Sequence, residues 1–119
     1  MQNKVLIACI ALTVFLGGVM LTAQQGEQLP RITIVNNTGV TISAVMICES
    51  GGLCTGNRLA PNQTILNRQS AALDLPYPLR QVNRYDIILL DTEGNAYTRE
   101  NIRVRAGIRI TITSRDRIN

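Results

Sequence analysis

Histidine and tryptophan are absent from the 119 residues, phenylalanine occurs once and tyrosine three times. Without histidine the chain cannot form a Ser-His-Asp or Cys-His arrangement, and it lacks both the commonest general base near neutral pH and the imidazole of most mixed zinc sites. Without tryptophan it lacks the usual platform on which sugar rings stack. The shortage of rings also counts against nucleic acid, because such binders interleave basic residues with aromatic stacking surfaces. Lysine is nearly absent as well. Lys4 is alone, so the net charge of +4 rests on arginine, much of it late in the chain at Arg99, Arg103, Arg105, Arg109, Arg115 and Arg117. Solvated strand faces and edges account for those arginines. Neither a nucleic-acid partner nor a cofactor is expected.

What the chain does have is a long uncharged beginning. Residues 5–23 follow Lys4 without a charge. A basic start, an apolar core over residues 5–16 and small residues in Leu21-Thr22-Ala23 are the parts of a secretory signal. The run approaches the ~20 apolar residues that span a bilayer, so an uncleaved anchor is the alternative. Gly17 and Gly18 interrupt it and favour the cleaved signal. Either way the domain is expected outside the cytoplasm, secreted or periplasmic, with membrane contact only through an uncleaved leader. Leu6-Ile7-Ala8-Cys9 matches the pattern ahead of a lipidated cysteine. It lies too early, since the apolar stretch between Lys4 and Cys9 is far shorter than the roughly 7–15 residues of a signal core. The expected organisation is a signal peptide at 1–23, a linker at 24–30, one small domain at 31–114 and a C-terminal tail at 115–119.

Beyond the leader the pattern is that of strands and turns. Arg31-Ile32-Thr33-Ile34-Val35 alternates, placing Ile32 and Ile34 on one face, and Asn36-Asn37-Thr38-Gly39 reverses the chain. Residues 40–48 are rich in β-branched side chains but break parity: Ile42 and Ala44 share one face, Val45 and Ile47 the other. A bulge near Ala44, or cover on both faces, reconciles them. Residues 49–60 read as a polar excursion and Thr64-Ile65-Leu66-Asn67-Arg68 as a strand. Pro76 and Pro78 mark residues 70–82 as a loop or an edge segment. Tyr85, Ile87 and Leu89 alternate with Asp86, Ile88 and Leu90 in a central strand. Asp91-Thr92-Glu93-Gly94-Asn95 is the strongest hairpin signal, with Gly94, like Gly39, as a turn former. Ala96 to Thr98 pairs back, residues 101–104 continue or bend, and Ile108, Ile110 and Ile112 close the core. These features predict an all-β fold: a small two-sheet β-sandwich of six to eight short strands, preceded by an N-terminal signal helix. A small barrel is the second choice.

Ile32-Thr33-Ile34-Val35-Asn36-Asn37-Thr38-Gly39, the Leu59-Ala60-Pro61 turn, Tyr85-Asp86-Ile87 with Leu89-Leu90-Asp91 and Gly94, and the closing Ile108-Arg109-Ile110-Thr111-Ile112 together resemble a family of small secreted bacterial domains of largely uncharacterised function. The resemblance spans residues 31–113 and implies a β-sandwich. It carries no catalytic residues. Residues 40–48 lack the aromatic side chains typical of the family's second strand.

Cys48 and Cys54 are an even pair beyond the leader, and an oxidising compartment would join them. The alternative, a redox or thiolate metal site, lacks both the C-x-x-C spacing and a histidine. Asp86, Asp91, Glu93 and Glu100 lie in one region of the sequence, and a pair of them could serve as acid and base for glycoside cleavage. Asp91, Glu93 and Asn95 have the oxygen donors of a calcium site, although the same residues are ordinary in hairpins. Asn36-Asn37-Thr38 and Asn62-Gln63-Thr64 match glycan acceptors and also suit turns. No catalytic or metal residues are assigned. The candidate binding loop comprises Glu49, Ser50, Gly51, Gly52, Leu53, Asn57 and Arg58, tied at its root by the cysteines. The expected function is a non-catalytic extracytoplasmic interaction module whose partner is a protein or envelope component. A self-assembling envelope protein is the alternative, and a carboxylate hydrolase comes third.

Overall fold

A computed structural model describes residues 29–119. The expected signal peptide, most of the linker and the lipidation pattern lie outside the described residues. Seven strands follow in order: β1 (Arg31–Asn37), β2 (Ile42–Glu49), β3 (Cys54–Asn57), β4 (Ser70–Asp74), β5 (Arg84–Asp91), β6 (Ala96–Arg103) and β7 (Arg109–Thr113). They form a three-stranded sheet, β4-β1-β7, and a four-stranded sheet, β3-β2-β5-β6. The described chain is all-β apart from one 3-10 turn, Ser114–Asp116, capped by Thr113 and Asp116.

Alternation builds the core. Ile32 and Ile34 of β1, Leu73 of β4, and Ile110 and Ile112 of β7 point inward from the smaller sheet. Ile42, Val45 and Ile47 of β2, Tyr85, Ile87 and Leu89 of β5, and Tyr97 of β6 meet them from the larger one. Burying each such aliphatic side chain contributes roughly 1.5–3 kcal/mol. Parity in β2 changes where the sequence demanded it: the register against β5 shifts between Ile42 and Ala44, so Ile42, Val45 and Ile47 all turn inward. Ile108, expected in the same row as Ile110, is half-buried at the rim because β7 begins one residue later.

Two strand assignments change. Residues 64–68, expected as a strand, supply only an isolated bridge from Ile65 to Ile42, with main-chain bonds of 2.9 Å each way. Arg68 at φ 72° turns the chain away immediately afterwards. The excursion at 49–60 instead contains β3, in which Gly56 and Asn57 are poor strand formers and which takes its place from pairing with β2. Residues 70–82 supply an edge strand at 70–74 and then a loop. The end of the chain, expected as a tail, pairs with β6: Tyr97 bridges Arg117, and the Ile118 amide donates to the Ala96 carbonyl at 2.9 Å.

Two buried side chains among the described residues are polar or charged, Asn36 and Asp91. Asn36 continues the inward row of Ile32 and Ile34 and is fully buried. Its amide nitrogen donates to the carbonyls of Val40 (2.7 Å) and Ile65 (2.8 Å), and its Oδ1 accepts from the Thr38 amide (3.0 Å) and hydroxyl (2.7 Å). That uses all the side chain's hydrogen-bonding capacity and fastens the β1–β2 turn to the Ile65 bridge. In the folded domain the Asn36 side chain is therefore closed to solvent.

Candidate functional site

The candidate binding loop divides into a tip and a brace. Cys48 and Cys54 are cross-strand partners and are disulfide-bonded, their α-carbons 3.9 Å apart. Between them the chain turns tightly: the Gly52 amide donates to the Glu49 carbonyl (2.8 Å) and the Glu49 amide to the Leu53 carbonyl (3.1 Å). Gly51 takes φ 72°, a conformation that a side chain would strain. Ser50 is fixed from β5, its amide donating to the Arg84 carbonyl and its hydroxyl to Asp86 Oδ1 at 2.9 Å. Leu53, at 83% exposure, is left in solvent.

Asn57 and Arg58 belong to the brace. Asn57 Oδ1 accepts from the amides of Val45 (2.9 Å) and Leu59 (3.1 Å), replacing ladder bonds at the irregular β2–β3 pairing. Arg58 Nη2 donates to the Asp74 carbonyl (2.9 Å), tying β4 of one sheet to the segment after β3 of the other. Reducing or removing the disulfide is expected to lower stability by about 2 kcal/mol, the loop-closure entropy of so short a ring. Urea titrations with and without reductant measure this, and an unchanged midpoint would contradict it.

Asp86 sits beside this tip on the solvent side of β5. The Asn101 amide, at 2.7 Å from Oδ1, holds its carboxyl below the usual range; burial works the other way, and Ser50 and the Gly51 backbone add to the lowering. Asp91, at the far end of β5, is buried. Burial would raise its pKa, but the Tyr97 hydroxyl (2.7 Å), the Asn95 amide and side chain, and the Glu93 amide outweigh it and bring the pKa to about 2 from 3.8. Its two oxygens thus close the hairpin internally, while Gly94 supplies the turn at φ 88° and Gly39 does the same at φ 92° after β1.

Asp86 and Asp91 stand five positions apart on β5, roughly 17 Å at the rise of a β-strand, while Glu93 shares the hairpin with Asp91 and Glu100 adjoins the Asn101 that bonds Asp86. Paired glycosidase carboxyls lie within about 10 Å of each other. Among the described residues no three His, Cys, Asp or Glu side chains group as metal ligands. An open groove of about 520 Å³ lies where Leu29, Pro30, Pro78, Leu79 and Gly107 meet, with no carboxylate or thiol in its lining.

The feature that the candidate loop did not capture is the outer face of the four-stranded sheet. Met46 pairs with Ile88, and Ala44 with Leu90; Ile88 continues to Thr98, and Leu90 to Ala96. With Val45, Ile47, Ile87 and Leu89 filling the core, this second parity leaves Met46 and Ile88 half-buried and Leu90 exposed. The signal was in the sequence: a half-solvated strand carries polar residues on its outer parity, whereas β5 has Ile88 and Leu90 there after Asp86.

No family model matches the chain, and no curated protein sequence does. Among solved structures it is similar to the NMR structure of a protein from Eubacterium rectale, with a TM-score of 0.53 and 13% identity over 81% of this chain and 84% of that one. At that identity the likeness concerns the fold.

Proposed function

We propose that this protein is a non-catalytic extracytoplasmic interaction module that engages a protein or envelope component through the outer face of its four-stranded sheet. The carrying observation is the apolar row Met46, Ile88 and Leu90 on a sheet whose opposite face already fills the core. A single exposed leucine is ordinary; adjoining apolar residues across neighbouring strands make a contact surface. The disulfide-braced tip with exposed Leu53 lies at the end of the same sheet and offers a second anchor. The disulfide and the composition of the leader support a place outside the cytoplasm. Among the described residues no helix is long and apolar enough to cross a membrane.

The test is site-specific photocrosslinking in the native cell. A photoreactive residue at Ile88 is expected to give a discrete adduct that disappears on adding Met46→Lys. The same probe at Thr111, exposed on the other sheet, is expected to give none. Equal adducts at both positions, or none at Ile88, would remove the proposal.

A further inference from the structure

The sandwich has four edge strands, and three of them are blunted. On β6 the Ala96 amide donates to Asn119 Oδ1 (2.9 Å), the Ala96 carbonyl accepts from Ile118, and Asn101 at φ 51° breaks the line of the strand. On β7 the Thr111 carbonyl accepts from Arg99 Nη1 (3.0 Å), reaching over from the other sheet, and the Thr113 amide donates to Asp116 (2.9 Å). The third edge, β3, is four residues long and irregularly paired. Short length, bulges, covering segments and charged side chains are the recognised ways of stopping edge-to-edge pairing.

The fourth edge, β4, is also short at five residues, but it is regularly paired and carries no bulge or charge over residues 70–73. Ser70–Asp74 pairs with β1 without a register shift, one residue for one residue. Bonds from the Asn36 amide to the Gln69 carbonyl and from the Leu75 amide to the Pro30 carbonyl frame the strand. Alternation then turns the main chain of Ala71 and Leu73 toward β1 and that of Ser70, Ala72 and Asp74 outward. Of these outward groups the Asp74 carbonyl accepts from Arg58, and a carbonyl has a second lone pair to offer. The outward residues are exposed, and Ser70 and Ala72 are small and uncharged.

We propose that a second copy of this chain docks antiparallel on β4, with a two-fold axis through Ala72, so that the two three-stranded sheets become one continuous sheet. The geometry is self-complementary. Ala72 faces its own counterpart, and Ser70 faces the other copy's Asp74, so roughly six main-chain bonds can form in this register. Like charges never oppose one another, and each Ser70 hydroxyl stands across from a carboxylate that can accept it. The pairing consumes the open edge of both copies, so the assembly closes at two rather than growing into a fibre. It lies on the other sheet from Met46, Ile88 and Leu90, and leaves that face free.

Sedimentation of the purified protein over a wide concentration range is expected to show a monomer–dimer equilibrium. Ala72→Pro removes the central outward donor, and Ala72→Lys sets two ammonium groups face to face; each is expected to weaken association by about tenfold or more. The melting temperature of the dilute protein reports whether either variant still folds. Ala72→Cys is expected to join two copies through a short bismaleimide, with the parent chain, which carries Cys9, as background. A parent that stays monomeric, variants that fold and still dimerise, or an Ala72→Cys chain that links no better than the parent would each overturn the pairing. Loss of the Ile88 adduct alone would leave it standing.

Discussion

Asn36→Ala is expected to lower the unfolding free energy by about 3 kcal/mol, a large share of what a domain of this size possesses. The side chain is fully buried and makes four hydrogen bonds. Truncation removes these four bonds, each worth about 0.5–1.5 kcal/mol net, and leaves the Thr38 amide without its partner, while the Ile65 carbonyl keeps the Ile42 amide at 2.9 Å. The Val40 carbonyl retains the Thr38 hydroxyl at 3.0 Å, which limits the loss there. Asn36→Asp, nearly identical in shape, is expected to be worse at neutral pH. It keeps the acceptors, but replaces the donor to two carbonyls with a carboxylate oxygen that both repel. Urea unfolding of parent and variants measures the ordering; an Asn36→Ala midpoint equal to that of the parent would show that the knot holds nothing.

Asp91→Ala is expected to cost a similar amount, about 3 kcal/mol at neutral pH, because it orphans the buried Tyr97 hydroxyl and two turn amides. It also changes the acid limb of the stability curve. The folded carboxyl titrates at about 2, below its ordinary 3.8, so the unfolded chain takes up the proton first. The contribution of Asp91 is therefore complete above its ordinary pKa and disappears as pH falls through about 2. Asp86, also held low by the Asn101 amide, acts in the same direction. Denaturant midpoints across this range should fall steeply for the parent and less steeply for Asp91→Ala. Parallel curves would mean that Asp91 is not held in its charged form by the fold.

Much of the architecture was legible because alternation is a local property. Ile32 with Ile34, Tyr85 with Ile87 and Leu89, and Ile110 with Ile112 announced their faces directly, and the broken parity of residues 42–47 announced the bulge. What escaped depends on partners remote in sequence. Cys-Thr-Gly-Asn, with Gly56 and Asn57 in its second half, has little strand character and becomes β3 because the Cys48–Cys54 disulfide and Asn57 hold it against β2. Thr64-Ile65-Leu66 has that character, but its neighbours give it only a single bridge. Asn36 read as a turn residue or a glycan acceptor, although it stands two places after Ile34 and so on the inward parity; a polar residue there needs partners, and those lie at Val40 and Ile65. Asn57 and Arg58 looked free for ligand, yet each bonds to main chain that no local pattern brings near.

The first and last strands lie side by side, β1 running parallel to β7 from the Thr33–Arg109 pair to the Asn37–Thr113 pair. Neither face of the smaller sheet can be completed until nearly every residue has emerged from the machinery that makes or moves the chain. The β1–β7 pairing, about seventy-six residues apart in sequence, is thus the kind of non-local contact that slows folding, whereas the larger sheet draws only on residues 42–103.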